Sequence, residues 1–115
     1  MARQRMRRVD EAVREVLSEA LGTSDLKDPR IGFVTVTDVK TSADLRHARV
    51  FVSVLGSEEE REQTLAGLQS AHGVLQRRVA AQLRLKRTPT LEFAYDDTVD
   101  RAMRVERILG QRDPE

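Results

Sequence analysis

A long helical run with one break in it constrains the fold of this chain more than any other feature. Residues 57–83 carry apolar side chains at helical spacing, and Ala71-His72-Gly73 interrupts the run near its middle. A glycine inside a helix costs about 1 kcal/mol relative to alanine, and the helical phase nearly persists across the interruption. The pattern therefore predicts two consecutive helices joined by a kink.

The same part of the chain has an unusual distribution of charge. No carboxylate occurs between Glu62 and Glu92, although the whole chain carries 20 Lys and Arg against 19 Asp and Glu, a net charge of +1. The basic residues in that stretch are Arg77, Arg78, Arg84, Lys86 and Arg87. An acid-free basic surface beside a glycine can approach a phosphate backbone without repelling it. We interpret this segment as an RNA-binding surface.

Another helix is predicted near the amino end, from about Gln4 to Leu21, with Gly22 as its stop. Its apolar residues follow the three-four spacing of a helix that packs on a core. With 3.6 residues per turn, Arg3, Arg7 and Arg14 lie on one flank, and acidic residues occupy the other. The basic flank is a second candidate surface for RNA.

Three segments have the composition and alternation of β-strands. Residues 31–39 and 46–55 are predicted to pair as an antiparallel hairpin, and residues 90–95 form a third strand after the helix breaker Pro89.

Local signals mark the ends of the later helices. Ser57 and Glu60 have the spacing of a capping box, and Gly110 is expected to stop a short final helix. The order is helix, strand, strand, kinked helix pair, strand and short helix. It predicts an α+β domain in which the helices cover one face of a three-stranded sheet.

Length and composition bound the class of protein. The chain is predicted to form a single domain over residues 1–110 with a disordered tail at 111–115. It has no cysteine, no apolar run of the roughly 20 residues that span a bilayer, and no secretory signal at its start. We expect a cytoplasmic protein without a membrane partner. A monomer is favoured because no large apolar face is left over.

The sequence offers little for catalysis. It has no Walker-type phosphate loop, dinucleotide fingerprint or metalloprotease helix. Because the chain has no cysteine, its two histidines cannot form the usual zinc sites without carboxylates from elsewhere. We therefore expect neither an enzyme nor a metal nor a cofactor. His47 is predicted to lie at the surface, whereas a structural hydrogen bond and an RNA contact are both open for His72.

The aromatic residues argue against extensive reading of bases. Phe93 and Tyr95 fall on the predicted core face of the third strand, so they are expected to pack rather than to stack on bases. Recognition should then depend on shape and phosphate contacts.

Small residues and arginines share the solvent side of the kinked pair. Ser70, Gly73, Arg77 and Arg84 lie opposite the apolar stripe, which suits the close approach of a sugar-phosphate chain. The full set of candidate RNA-binding residues is Arg3, Arg7, Arg14, Ser70, Ala71, His72, Gly73, Arg77, Arg78, Arg84, Lys86 and Arg87. The main alternative is a module that docks an acidic protein through the same basic face. A DNA-binding protein is a second alternative, and a hydrolase is the weakest.

Several short motifs occur together in one order. Asp28-Pro29-Arg30 leads into residues 34–39, residues 48–56 read Ala-Arg-Val-Phe-Val-Ser-Val-Leu-Gly, and Ala71-His72-Gly73 is followed by Pro89-Thr90-Leu91-Glu92-Phe93. With these motifs the chain resembles bacterial ribosome-binding factor A over about residues 3 to 110.

The resemblance implies a type II KH-like fold in which an Ala-x-Gly kink replaces the usual GxxG loop. It also implies a non-catalytic assembly factor that binds the immature small (30S) ribosomal subunit and assists maturation of the 5′ region of 16S rRNA. Members of this family leave before translation begins, are associated with growth in the cold, and have their release linked to a ribosome-associated GTPase.

Overall fold

The computed structural model describes residues 2–22 and 28–112, apart from the side chains of residues 2–5, 99, 111 and 112. Within these limits the chain forms four helices and three strands. They are α1 (Ala2–Gly22), β1 (Val34–Thr41), β2 (His47–Val54), α2 (Glu58–Ser70), α3 (His72–Leu83), β3 (Thr90–Tyr95) and α4 (Thr98–Arg112). This confirms the predicted α+β class and the order of elements that the resemblance implied for a KH-like fold.

The three strands form one mixed sheet in the order β1-β2-β3. β1 and β2 pair antiparallel, as the hairpin prediction required, and β3 joins β2 in parallel with His47 opposite Thr90. A parallel neighbour needs a long crossover, and α2 and α3 supply it. His47 is exposed at the first position of β2, as predicted.

β1 begins three residues later than predicted and ends two residues later. Ile31 belongs instead to a turn, in which its N–H donates to the carbonyl of Asp28 at 3.1 Å. A register shift between Val36 and Asp38 then changes which residues point inward, so that Val39 is buried after Val36. Such a bulge adds one residue to a strand and cannot be read from simple alternation.

α1, α2 and α3 cover one face of the sheet. The buried apolar core consists of Val13, Val16, Leu17, Ala20, Val36, Val39, Ala48, Val50, Val52, Val54, Leu68, Leu75, Val79 and Leu91. Phe93 packs against this core, as predicted. The opposite sheet face carries Lys40, Arg49 and the half-buried Phe51. The sheet is thus amphipathic, with all of its apolar packing on the helical side.

The predicted kink is present, and it is one residue long. α2 starts with the predicted capping box, in which Ser57 and Glu60 each accept from the other's backbone N–H. At the other end, Ala71 separates α2 from α3 with φ −88° and ψ 2°. Its N–H donates to the carbonyls of Gly67 and Leu68, and its carbonyl accepts from Leu75 N at 3.1 Å. The hydrogen-bond ladder therefore continues on both sides of the kink.

α4 departs from the sequence prediction in two respects. It continues through Arg112, two residues past the expected stop, because Gly110 keeps a negative φ and does not reverse the chain. Residues 113–115 of the predicted tail lie outside the described residues. The expectation that no large apolar face is left over is also wrong, because α4 exposes about half of each of Met103, Val105, Ile108 and Leu109.

α4 is attached to the rest of the fold near its start. The hydroxyl of Tyr95 donates to Asp100 at 2.9 Å, and Arg61 of α2 lies 3.6 Å from the same carboxylate. The Arg61 guanidinium also stacks 3.8 Å from the centre of the Tyr95 ring.

No helix in the described part of the chain is both long and apolar enough to cross a bilayer.

Candidate nucleic-acid interface

The kink exposes a short polar edge at the junction of α2 and α3. Ser70 and His72 are exposed there, while Ala71 and Gly73 are half-buried. His72 Nδ1 lies 2.7 Å from the carbonyl oxygen of Gln69, and because a carbonyl can only accept, the ring nitrogen donates. The structural hydrogen bond considered for His72 is therefore present. The ring remains accessible, so an RNA contact stays a prediction.

The kink lies at Ala71, the first of the three residues over which it was predicted, and Gly73 is already inside α3. Gly73 keeps a negative φ, and a Cβ added to it would meet only the Arg77 guanidinium, at 3.9 Å. The backbone therefore does not require glycine at this position. What glycine does supply is an uncovered stretch of main chain beside Arg77.

The turn at residues 28–31 packs against α2 just before the kink. Arg30 forms a bidentate ion pair with Asp28, with 2.6 Å between Nη2 and Oδ2. Its Nη2 also donates a hydrogen bond to the hydroxyl of Ser70 at 3.1 Å. The hydrogen bonds from Arg30 lower the pKa of Asp28 to about 2, so this carboxyl stays ionised. Ile31 packs so closely on Gly67 that a Cβ there would lie 2.7 Å from Ile31 Cγ1.

The cations of α3 and of the segment after it remain available to a ligand. Arg77, Arg84, Lys86 and Arg87 are exposed, and none forms an ion pair with a carboxylate among the described residues. This follows from the sequence, since the segment itself contains no acid. Arg84 also ends α3 in a left-handed conformation, with φ 48° and ψ 41°. Arg78 is half-buried, so it contributes less to this surface.

The candidate cations of α1 are carried on a helix that packs against α3 and β1. Arg7 and Arg14 are exposed, in agreement with their predicted position on a solvent flank. The side chain of Arg3 lies outside the described residues. The packing of α1 on α3 makes the two basic helices neighbours, although they lie far apart in the sequence.

Comparison with known proteins decides the family. The family profile described as "Ribosome-binding factor A" matches residues 5–109. The chain belongs to the ribosome-binding factor A family. Ribosome-binding factor A of Anaeromyxobacter dehalogenans is 55% identical over 105 residues, which cover 90% of this chain and 75% of that protein. The protein of the same name from Halothermothrix orenii is 43% identical over 109 residues, 95% of this chain and 88% of the relative.

Solved structures of ribosome-binding factor A have the same fold. The crystal structure from Thermus thermophilus is similar with a TM-score of 0.68 and 29% identity, covering 78% of this chain and 94% of that one. A homology model of the T. thermophilus protein, fitted into the cryo-EM map of a 30S complex, is similar with a TM-score of 0.56 and 31% identity. It covers 74% of this chain and 92% of the fitted one.

The sequence did not point to two residues that the structure makes notable. Arg30 was read only as part of a turn, yet it reaches Ser70 across the fold. Phe33 is 82% exposed, which makes it an accessible aromatic ring just before β1. A signal for Phe33 existed, because it is out of phase with Val34 and Val36, which alternation places inward. Nothing local to Arg30 predicts its contact.

Proposed function

We propose that this chain is a non-catalytic, RNA-binding ribosome assembly factor. In this proposal it associates with the immature small (30S) ribosomal subunit and promotes maturation of the 5′ region of 16S rRNA. The single observation that carries the proposal is the exposed basic surface formed by α3 and the segment after it, in a member of the ribosome-binding factor A family. Its exposed cations are Arg77, Arg84, Lys86 and Arg87, and residues 63–91 contain no acid. The 30S complex of the T. thermophilus relative supports the choice of the small subunit.

In this proposal the kink and the basic residues of α3 and the segment after it make different contacts with RNA. Arg77, Arg84, Lys86 and Arg87 supply phosphate contacts, which position the protein without reading sequence. The small residues at 70–73 allow a sugar-phosphate chain to come close to the main chain. Arg7 and Arg14, on the neighbouring α1, add a second row of cations, and Arg3 and Arg78 complete the proposed set.

Such a surface can promote maturation without catalysing any covalent step. If the protein binds one local fold of the RNA more tightly than another, it shifts their populations by that difference in binding free energy. No metal, nucleotide or other cofactor is needed for this mechanism. A role in the cold fits it, because misfolded RNA rearranges slowly at low temperature. Release is proposed to depend on a ribosome-associated GTPase, and the protein is proposed to act as a cytoplasmic monomer.

Co-sedimentation tests the proposal directly. The purified protein is mixed with mature and immature small subunits at ~150 mM salt, with large subunits and duplex DNA as controls, because weak phosphate binding looks specific at low salt. We expect selective association with small subunits and a preference for immature ones. Equal binding to every particle, or to none, contradicts the proposal.

The residues of the surface are tested by a double variant. Arg77→Gln with Arg84→Gln should weaken subunit binding and reduce the salt slope by about 1.4 to 1.8 if each contacts one phosphate. Lys40→Gln with Arg49→Gln is the matched control, since it removes two charges from the opposite sheet face. An unchanged slope in the first variant removes these arginines from the interface.

Ribonuclease treatment distinguishes the proposed RNA binding from the alternative of an acidic protein partner. Complexes held by RNA should dissociate, whereas a protein–protein complex should persist. A protein of general nucleic-acid affinity would instead bind duplex DNA as tightly as subunits.

A further inference from the structure

A cleft lies at the far end of α3, and of its lining residues only Lys86 and Arg87 have a role in the function proposed so far. Its volume is about 410 Å³, and it is formed where α1, the β1–β2 turn and the α3–β3 connection meet. The first contributes Val9, the second Asp44 and Leu45, and the third the segment from Leu85 to Pro89. α3 has 12 residues, so the kink and this cleft are about 18 Å apart.

Four of the seven residues that line the cleft are apolar, and the other three are charged. Val9, Leu45 and Leu85 are half-buried and Pro89 is buried, so the first three still offer apolar surface to a ligand. A mostly apolar cavity of a few hundred Å³ with a small number of polar groups is typical of a binding site for a small ligand group.

Three charged side chains line the same cleft. Lys86 and Arg87 are exposed and have no acidic partner among the described residues. Asp44 Oδ1 accepts two hydrogen bonds, one from the Ser42 hydroxyl at 2.6 Å and one from the backbone N–H of Arg46 at 3.0 Å. These hydrogen bonds lower the pKa of Asp44. The cleft therefore combines two unpaired cations with one ionised acceptor whose Oδ2 has only Arg46 nearby, at 3.9 Å.

The backbone around the cleft is held in an unusual conformation. Leu45 with φ 60° and Arg84 with φ 48° are the two non-glycine residues with positive φ in the described ranges. One lies in the turn that lines the cleft, and the other directly precedes Leu85. The left-handed conformation of Arg84 is a common ending of a helix. That of Leu45 is unusual for a bulky side chain, and such a conformation persists only where the surroundings hold it.

We propose that this cleft, the Leu45–Leu85 cleft, receives one unstacked nucleotide of the RNA strand bound along α3. The base packs on the apolar walls, and its phosphate lies against Lys86 and Arg87. Protein pockets hold extruded bases between apolar side chains in this way. Asp44 accepts a hydrogen bond from an exocyclic amino group, so adenine or cytosine is preferred to uracil. The inference rests on the proposed RNA-binding function, to which it adds a site that reads a base.

An anionic occupant is favoured by charge and by continuity. The net charge at the cleft is positive, and its two cations continue the acid-free basic row that begins at Arg77. An apolar side chain of a protein partner would fill the walls and leave both cations unused. That outcome is distinguished by the probes below.

The first experiment compares two leucine variants in co-sedimentation with immature small subunits. Leu45→Asn removes an apolar wall but keeps the turn, because asparagine adopts the left-handed backbone readily. Leu55→Asn is the control at the other end of β2, where the side chain is 77% exposed. We expect about fivefold or greater loss of affinity for Leu45→Asn, at an unchanged or higher Tm, and no loss for the control.

The outcomes separate the two proposals. If the unaltered protein does not associate with small subunits, the proposed function fails. If it does associate and Leu45→Asn binds equally well, the cleft proposal alone is overturned.

The second experiment identifies what enters the cleft. The methyl resonances of Leu45 and Leu85 are followed by NMR as cytidine trinucleotide, uridine trinucleotide or inorganic phosphate is added to the full chain. We expect larger shifts with the cytidine trinucleotide than with the uridine one, and none with phosphate. In Asp44→Asn, which retains Oδ1 but replaces Oδ2 with a donor, the preference should reverse. Equal shifts with phosphate, or none with either RNA, overturn the assignment.

Discussion

Arg30 Nη2 lies 3.1 Å from the hydroxyl of Ser70, a residue forty positions further along the chain. This contact joins the turn at 28–31 to the edge of the kink. The same guanidinium is oriented by its ion pair with Asp28, so the turn delivers one positioned hydrogen-bond donor to the proposed RNA-binding surface and no net charge.

Removing Arg30 should weaken subunit binding more than it weakens the fold. Water screens its ion pair with Asp28, so the Tm of Arg30→Ala should fall by only a few degrees. Affinity for the small subunit should fall about threefold to tenfold, as expected when one charged contact is lost. Arg101→Ala is the matched control, because it removes another exposed Arg–Asp pair on α4. Equal losses of affinity in both variants would contradict a contact between Arg30 and the small subunit.

The two glycines near the kink should respond oppositely to alanine. Gly73→Ala should stabilise the protein by about 0.5 to 1 kcal/mol, because the position is helical and the new Cβ meets only a flexible guanidinium. Gly67→Ala should destabilise it by about 1 to 3 kcal/mol, since its Cβ would lie 2.7 Å from Ile31 Cγ1. Urea unfolding measures both changes. If RNA approaches the main chain here, Gly73→Ala binds subunits more weakly despite its higher stability, and full binding by this variant would rule out that approach.

Two substitutions of Arg84 should affect subunit binding equally but the stability of the fold differently. Glycine accepts the left-handed conformation at the end of α3 without strain, so Arg84→Gly should raise the free energy of unfolding by about 1 kcal/mol. Loss of the charge should lower subunit affinity at the same time. Arg84→Ala is the control: it loses the charge and keeps the strained backbone. Both variants should bind equally weakly in co-sedimentation, and only the glycine variant should be more stable; equal stability would mean that the conformation carries no strain.

Acid should destabilise the fold through Asp96. The pKa of Asp96 is lowered from 3.8 to about 2, first by the hydrogen bond from the Thr37 hydroxyl and then by those from Thr98. A lowered pKa in the folded state contributes stability above pH 3.8, and that contribution is lost as the pH falls toward about 2. Asp96→Asn should therefore lose less stability than the unaltered protein over this interval.

The size of this effect is up to about 1 kcal/mol, because the site is partly solvated. It is measured by urea unfolding at about pH 6 and at about pH 2.5. Asp97→Asn serves as the control, since it alters an adjacent exposed carboxylate. Identical pH dependence in the Asp96 variant and the unaltered protein would show that the Thr37 contact does not bias the equilibrium.

Local patterns predicted most of the fold. The capping box at Ser57 and Glu60, the antiparallel hairpin and the kink after Ser70 all depend on residues close in sequence, and each is present. The bulge between Val36 and Asp38 was not predictable, because it depends on the register with β2. The extension of α4 past Gly110 was missed because a glycine permits a helix end without imposing one.

The candidate site was only partly predictable for the same reason. The exposed row of cations on α3 follows from helical periodicity and from the absence of acids. The contact of Arg30 with Ser70, and the cleft that joins Val9 to Leu45 and Leu85, combine segments that only the tertiary fold brings together.

The hydrogen bonds around Ala71 have a consequence for the rate of the proposed RNA binding. Because its N–H and its carbonyl are both paired, α2 and α3 meet at a fixed angle before any ligand arrives. The conformational entropy of this surface is lost when the chain folds, and little remains to be lost on contact with RNA. Association should then be limited by diffusion and charge, with no slow ordering step after the encounter.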